Sequence, residues 1–188
     1  MTGLGPLLPP LPAEEWDDEA RRALSPLLPA TRANPRDAGN ILATLVRHKS
    51  LTRAYLTFNA YLLLNSTLSA RIREVAVLRT ALTSRSEYLW DHHVPLAERA
   101  GLDAAEIDAI RRGEPTAPVD RLVVRAVDEL EENRAIARET WTALGEHLND
   151  EQRLDLLFTV GGYQLLAVVV NTLGIEPEPE HDRAREEP

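Results

Sequence analysis

The sequence predicts an all-α protein, and three observations carry that prediction. Apolar residues recur at three- and four-residue spacing through most of residues 13–175, which is the period of a helix with one buried face. Residues that cap helices stand in front of most of these runs. No segment alternates apolar and polar residues as a half-buried strand does.

The elements follow in chain order. Residues 1–12 hold four of the thirteen prolines, so they form neither helix nor central strand and are expected to lie as an arm on this subunit or a neighbour. A short first helix through "AEEWDDEARRALSPLL" stops near Pro26, so residues 1–36 read as an arm with one short helix. Asp37 is placed to cap a helix through "AGNILATLVRHKS", Ser50 one through "LTRAYLTFNAYLL", and Ser69 one through "ARIREVAVLRTALTS". Ser86 precedes "EYLWDHHVPLAERA" as its cap, and Gly101 ends that helix. Asp103 and Glu106 form a capping box for "AAEIDAIRR". After the loop "GEPTAP" come "VDRLVVRAVDELEEN", "RETWTALGEHL" and a long helix introduced by Asn149 and Gln152 as a second box. That makes about eight helices, with residues 37–175 as one helical domain. The tail 176–188 is acidic, bears proline and is poor in apolar residues, so disorder is expected there.

Bulk properties narrow the function classes. A net charge of −9 disfavours nucleic acid and anionic membranes as partners. With no cysteine there is no disulfide, thiolate nucleophile or Cys-based metal site. The N-terminus lacks a basic region followed by an unbroken apolar stretch, so it does not read as a signal peptide. The longest apolar run, "LLAVVV", is far too short to cross a bilayer. A cytoplasmic protein with no membrane partner is expected. The last helix is apolar on most sides around it, which favours a subunit interface as well as a core. Gly161 and Gly162 weaken that helix, and close helix approach is the reason expected for them.

Helical geometry singles out two polar side chains. At about 100° per residue, Glu74 lies within an apolar stripe made by Val77, Leu78, Ala81 and Leu82, while Arg73, Arg79 and Thr80 point elsewhere. A carboxylate facing inward must be ion-paired, hydrogen-bonded or protonated. On the next helix His93 shares a face with Ser86, Leu89, Trp90 and Leu96. His92 is about 100° away on the side of Tyr88, toward the rim or a partner subunit. Pro95 removes one helical hydrogen bond just beyond His93 and favours a kink there. No H-x-x-x-H or H-E-x-x-H spacing is present, and neither a metal nor an organic cofactor is expected. Ser86 lies two turns from His93, about 10 Å along the axis, too far for a direct hydrogen bond.

"EVAVLRTA" followed by "SEYLWDHHVPLAERAGLDAAEI", and later "TWTALGEHLNDEQRLDLLFTVGGYQLLAVVVNTLGI", resembles the carboxymuconolactone decarboxylase-like, or alkylhydroperoxidase D-like, family over roughly residues 38–175. The resemblance implies an alkylhydroperoxidase D-like helical bundle that assembles into homo-oligomers, trimers or hexamers, with the site near subunit contacts. Peroxidase members carry a glutamate, eleven residues, C-x-x-C, and a histidine four residues later. On this chain the glutamate falls on Glu74 and the histidine on His93, while the cysteine positions are Ser86 and Leu89, and Tyr88 stands where histidine is frequent. Serine and leucine form neither sulfenate nor disulfide, so thiol-dependent peroxide reduction is not expected. The decarboxylase branch implies cofactor-free proton chemistry on a small carboxylated or lactone-like molecule, of decarboxylase, isomerase or lactone-processing type. In such a site Glu74 and His93 are the expected catalytic residues. Tyr88, His92, Trp90, Ser86 and Arg71 are the expected substrate-binding residues, with Tyr88 or His92 on an oxygen and an arginine on a carboxylate. The alternative is a catalytically silent oligomer that binds a ligand or partner.

Overall fold

A computed structural model describes residues 5–178. Nine α-helices and no strand are present among them, so the chain is all-α. They are α1 (Asp18–Ala23), α2 (Gly39–Leu45), α3 (Lys49–Ala60), α4 (Ala70–Thr83), α5 (Glu87–Arg99), α6 (Ala104–Arg112), α7 (Pro118–Asn133), α8 (Arg138–Leu144) and α9 (Asp150–Leu173). The described residues divide into two compact units, residues 5–64 with 170–178, and residues 65–169.

In the first unit, Trp16, Ala20, Leu24, Ala43, Val46 and Leu56 form one apolar cluster. The described part of the proline-rich arm lies on this same unit: Leu7 N–H donates to Leu173 O, Leu11 N–H to Ala43 O, and Arg47 donates to the carbonyls of Pro9 and Pro10. Of the expected disordered tail, residues 176–178 are held, since Asn40 donates from its backbone to Glu178 and from its side chain to the Glu176 carbonyl. The rest of the tail, 179–188, and residues 1–4 of the arm lie outside the described residues.

Two caps differ from expectation here. Asp37 does not cap α2; its carboxylate accepts from Asn34 Nδ2 at 2.7 Å instead, and Ala38 stands at the helix start. α3 begins one residue before Ser50, and His48 Nδ1 accepts from Leu51 N–H at 3.3 Å. Both sites offered several short polar side chains, and the turn leading in selects which of them reaches the free N–H groups.

In the second unit α4 is the central element, packed against α5, α6 and α7, with α8 on α7. Residues 74–78 are buried without a break, so α4 is enclosed on all sides rather than along one stripe. Thr80, expected to point away, is fully buried and donates to Ala76 O. The polar residues of α4 are absorbed by pairing. Arg79 grips Asp128 with two bonds of 2.6 and 2.8 Å and donates to the Ile110 and Arg111 carbonyls at the end of α6. Ser69 caps α4, and the boxes at Asp103–Glu106 and Asn149–Gln152 form as their spacing predicts.

α9 bears on two expectations. By length and composition this 24-residue helix, with a mean hydropathy of 1.7 over its apolar window, is long enough to cross a membrane. Leu156, Val160, Tyr163 and Ala167 are nevertheless buried against the protein. Gly161 does not serve a close approach within the chain, because a Cβ there meets nothing within 4 Å.

Candidate functional site

α4 and α5 are joined by a three-residue turn, Ser84 to Ser86, in which Arg85, at φ 54°, takes the left-handed conformation. The turn reverses the chain, so the inward face of α5 meets the inward face of α4. Glu74, one turn into α4, thereby faces His93, two turns into α5. Glu74 Oε2 and His93 Nδ1 are 2.8 Å apart. The carboxyl group is 1% exposed and the imidazole 8%.

The second carboxyl oxygen is not idle. Arg73 Nε donates to Glu74 Oε1 at 3.2 Å. Adjacent helical positions diverge by about 100°, which is why Arg73 was expected elsewhere; its long side chain folds back to the carboxylate. A buried carboxylate is tolerated when each oxygen has a donor, and here a guanidinium and an imidazole supply them. Tyr163 of α9 stands edge-on to His93, with ring centroids 5.0 Å apart and planes at 86°. Arg73 and Tyr163 are thus two neighbours of the pair that helical-wheel geometry did not find. Tyr163 had a faint signal, a polar-tipped aromatic within an apolar run.

The chemistry open to this arrangement follows from its hydrogen bonds. With Glu74 ionised, Nδ1 carries the proton that the carboxylate accepts, and Nε2 presents its lone pair. Nε2 then accepts or returns a proton while Glu74 keeps the ring oriented, with Arg73 holding the carboxylate in place.

The other expected residues are placed differently. Arg71 is consumed by Glu106 (2.7 and 3.3 Å), Asp120 (2.8 Å) and the Gly101 carbonyl (3.2 Å), which holds the Glu106 carboxyl below the ordinary carboxylate range. It clamps α4 to α6 and α7 and is not directed at Glu74. Tyr88 is buried, and His92 stacks on it at 4.1 Å with Nδ1 2.9 Å from the Tyr88 carbonyl oxygen. α5 runs on through Pro95 to Arg99. Among the described residues, no three His, Asp or Glu side chains gather as a metal site would require.

Ser86 departs most from expectation. It occupies the residue before α5, but its hydroxyl makes no capping bond. Ser86 is 2% exposed, and its Oγ has no hydrogen-bond partner. It lines a pocket of about 370 Å³ together with Ala81, Leu82, Trp90 and the charged residues Arg85, Glu87, Asp91 and Arg111. Arg111 lies 4.3 Å over the Trp90 ring. The walls of this pocket include neither Glu74 nor His93.

Comparison with known proteins agrees with this architecture. Residues 49–132 match the model of the carboxymuconolactone decarboxylase family. Among solved structures, the chain is similar to an alkylhydroperoxidase AhpD core protein, peroxidase-related, from Ralstonia eutropha JMP134, at 18% identity and a TM-score of 0.74 over 92% of this chain and 94% of that one. A peroxidase-related protein from Silicibacter sp. TM1040 gives 14% identity and a TM-score of 0.74, covering 97% of this chain and 98% of that one. The debrominase Bmp8 gives 13% and 0.73, with 97% of each chain covered. At these identities the likeness establishes an AhpD-like fold. No curated protein matches the chain.

Proposed function

We propose that this chain, whose residues 49–132 carry the carboxymuconolactone decarboxylase family pattern on an AhpD-like fold without any cysteine, is an acid/base enzyme acting on a small carboxylated or lactone-like molecule. The observation that carries the reading is the buried 2.8 Å bond between Glu74 Oε2 and His93 Nδ1. It leaves Nε2 as the working nitrogen.

In a decarboxylation, the bond to the carboxyl carbon breaks, CO₂ leaves, and the electron pair remains as an enolate. His93, protonated at Nε2, then returns a proton to carbon and is recharged from solvent. In an isomerisation, the same nitrogen removes a proton from carbon beside a carbonyl and replaces it elsewhere. Neither route requires a thiol. The debrominase neighbour supports the view that this fold hosts chemistry besides peroxide reduction, by analogy of fold alone.

The test is turnover of a panel of lactones and keto acids, read as CO₂ release or deuterium incorporation. General acid–base catalysis contributes about 10²- to 10⁴-fold, so Glu74→Gln and His93→Ala are expected to lose activity on that scale with the helical fold intact. Wild-type turnover in both variants, on a substrate the parent converts, removes the assignment.

A second reading, a silent oligomer that binds ligands, is favoured by one observation: the pocket at Ser86 does not include the Glu74–His93 pair in its walls. Both readings carry a homo-oligomer in the cytoplasm. Support for self-association comes from α9, where Leu154, Phe158, Leu165 and Val168 are 52–63% exposed at helical spacing with Gly161 among them. Apolar stripes of this kind mark association surfaces.

A further inference from the structure

Three arginines stand on α4, and they differ in what their side chains already hold. Arg71 and Arg79 commit their guanidinium nitrogens to Glu106, Asp120 and Asp128 and to backbone carbonyls at the two ends of α6. Arg73 donates only through Nε, to Glu74 Oε1 at 3.2 Å. Among the described residues its two terminal nitrogens have no partner. His93 is in the same position on the other side of the carboxyl group, with Nδ1 on Glu74 and Nε2 without a partner. The polar atoms that are both unpartnered and sealed from solvent lie elsewhere, on Thr44, Ser86, Asp120, Arg153 and Thr159. Nε2 and the outer edge of the Arg73 guanidinium therefore reach solvent, although the carboxyl group between them is 1% exposed.

The open edge of a guanidinium presents two parallel N–H groups, the geometry that takes a carboxylate with two hydrogen bonds. Glu74 does not occupy this edge: it lies behind Nε, and His93 shares its charge. Two hydrogen bonds, of 3.2 and 2.8 Å, and one carboxyl group separate the guanidinium from the imidazole, so a single small molecule lies within reach of both. The chemistry says which carboxylate belongs there. One that leaves as CO₂ must pass its charge to carbon, and a guanidinium holds that charge on oxygen in the ground state, which slows the step. A carboxylate bound by Arg73 is therefore one that the reaction keeps.

We propose that the outer edge of Arg73 is the carboxylate subsite of the Glu74–His93 site, holding a carboxylate that the substrate retains while its reacting carbon lies at His93 Nε2. A decarboxylation substrate is then a diacid, and an isomerisation or lactone substrate carries one carboxylate away from the reacting carbon. The assignment rests on the acid/base reading for its site. Because binding is read without turnover, a chain that binds the acid here but turns nothing over loses the acid/base reading and keeps the subsite.

NMR titration of the full chain tests it, following the ring Hε1 signal of His93 assigned through His93→Gln. The probes are levulinate, a carboxylate joined to a ketone by a short saturated chain, and methyl levulinate, its neutral counterpart. Levulinate is expected to move the His93 signal with Kd about 1 mM, and the ester at least about tenfold more weakly. Arg73→Gln is expected to remove the preference for the acid. Arg73→Lys, which keeps the charge but not the fork, is expected to keep the preference with several-fold weaker binding. A merely structural role for Arg73 would weaken acid and ester alike. The acid against the ester on the parent chain decides even if Arg73→Gln fails to fold. No levulinate binding, equal affinity for the ester, binding that leaves the His93 signal unmoved, or an acid preference undiminished in Arg73→Gln would each overturn the proposal.

Discussion

Glu74 answers to two donors at once, and that determines how its replacements behave. Glu74→Gln keeps an oxygen for Nδ1–H and nearly the same volume. Glu74→Ala strands Arg73 and His93 beside a void, and breaking a buried ion pair costs about 3–5 kcal/mol. Chemical denaturation is expected to show Glu74→Ala far less stable than Glu74→Gln; equal stability means the pair is solvated. Ser86→Ala should move the other way, by about 1 kcal/mol toward greater stability, because it removes an unsatisfied hydroxyl. Glu74 and His93 were legible in sequence because each is polar on an apolar helical face. Arg111 was not, because its place over Trp90 arises from packing between α5 and α6, which no spacing along the chain encodes.

At the scale of elements, the helix starts divide into those set locally and those set by the fold. Ser69, Asp103–Glu106 and Asn149–Gln152 act through side chains three residues from the N–H they satisfy, so sequence alone reveals them. Asp103→Ala is expected to cost about 1 kcal/mol by thermal denaturation. α8 is different: Glu129 of α7 reaches across to accept from Ala137 N–H and Thr140 Oγ1, a cap that only the α7–α8 packing supplies.

Glu106 joins both kinds, serving the α6 box and the Arg71 clamp. Arg71 is the larger cause holding its carboxyl below the ordinary value of 4.5, with the Asp103 backbone bond next. A depressed folded-state value means the clamp stabilises fully above about pH 4.5 and loses that contribution as pH falls below it. Glu106→Gln should therefore narrow the stability gap to wild type as pH drops from neutrality through 4. A gap that stays constant with pH would show that the charge contributes nothing.

For the whole molecule, α9 is the element whose role depends on context. One face supplies buried Leu156, Val160 and Tyr163, and another leaves Leu154, Phe158, Leu165 and Val168 open. If that second face is a subunit contact, Phe158→Glu with Val168→Glu will shift light-scattering mass from oligomer to monomer with helicity retained. A parent chain that is already monomeric, or an unchanged mass in the variant, removes the interface. The same helix explains why apolarity misleads in both directions: its length and hydropathy suit a membrane, yet its buried half is tied to the His93 neighbourhood through Tyr163.

What the sequence by itself determined is whatever short range controls: helical periodicity, three side-chain caps, the absence of thiol chemistry, and the inward aim of Glu74 and His93. Tertiary structure alone decided which charges meet. Arg71 pairs with Glu106 and Asp120, Arg73 folds back on Glu74, and Ser86 is left without a hydrogen-bond partner. A helix specifies the direction in which a side chain departs, but long flexible side chains reach their partners only after packing has brought distant charges within a few ångströms.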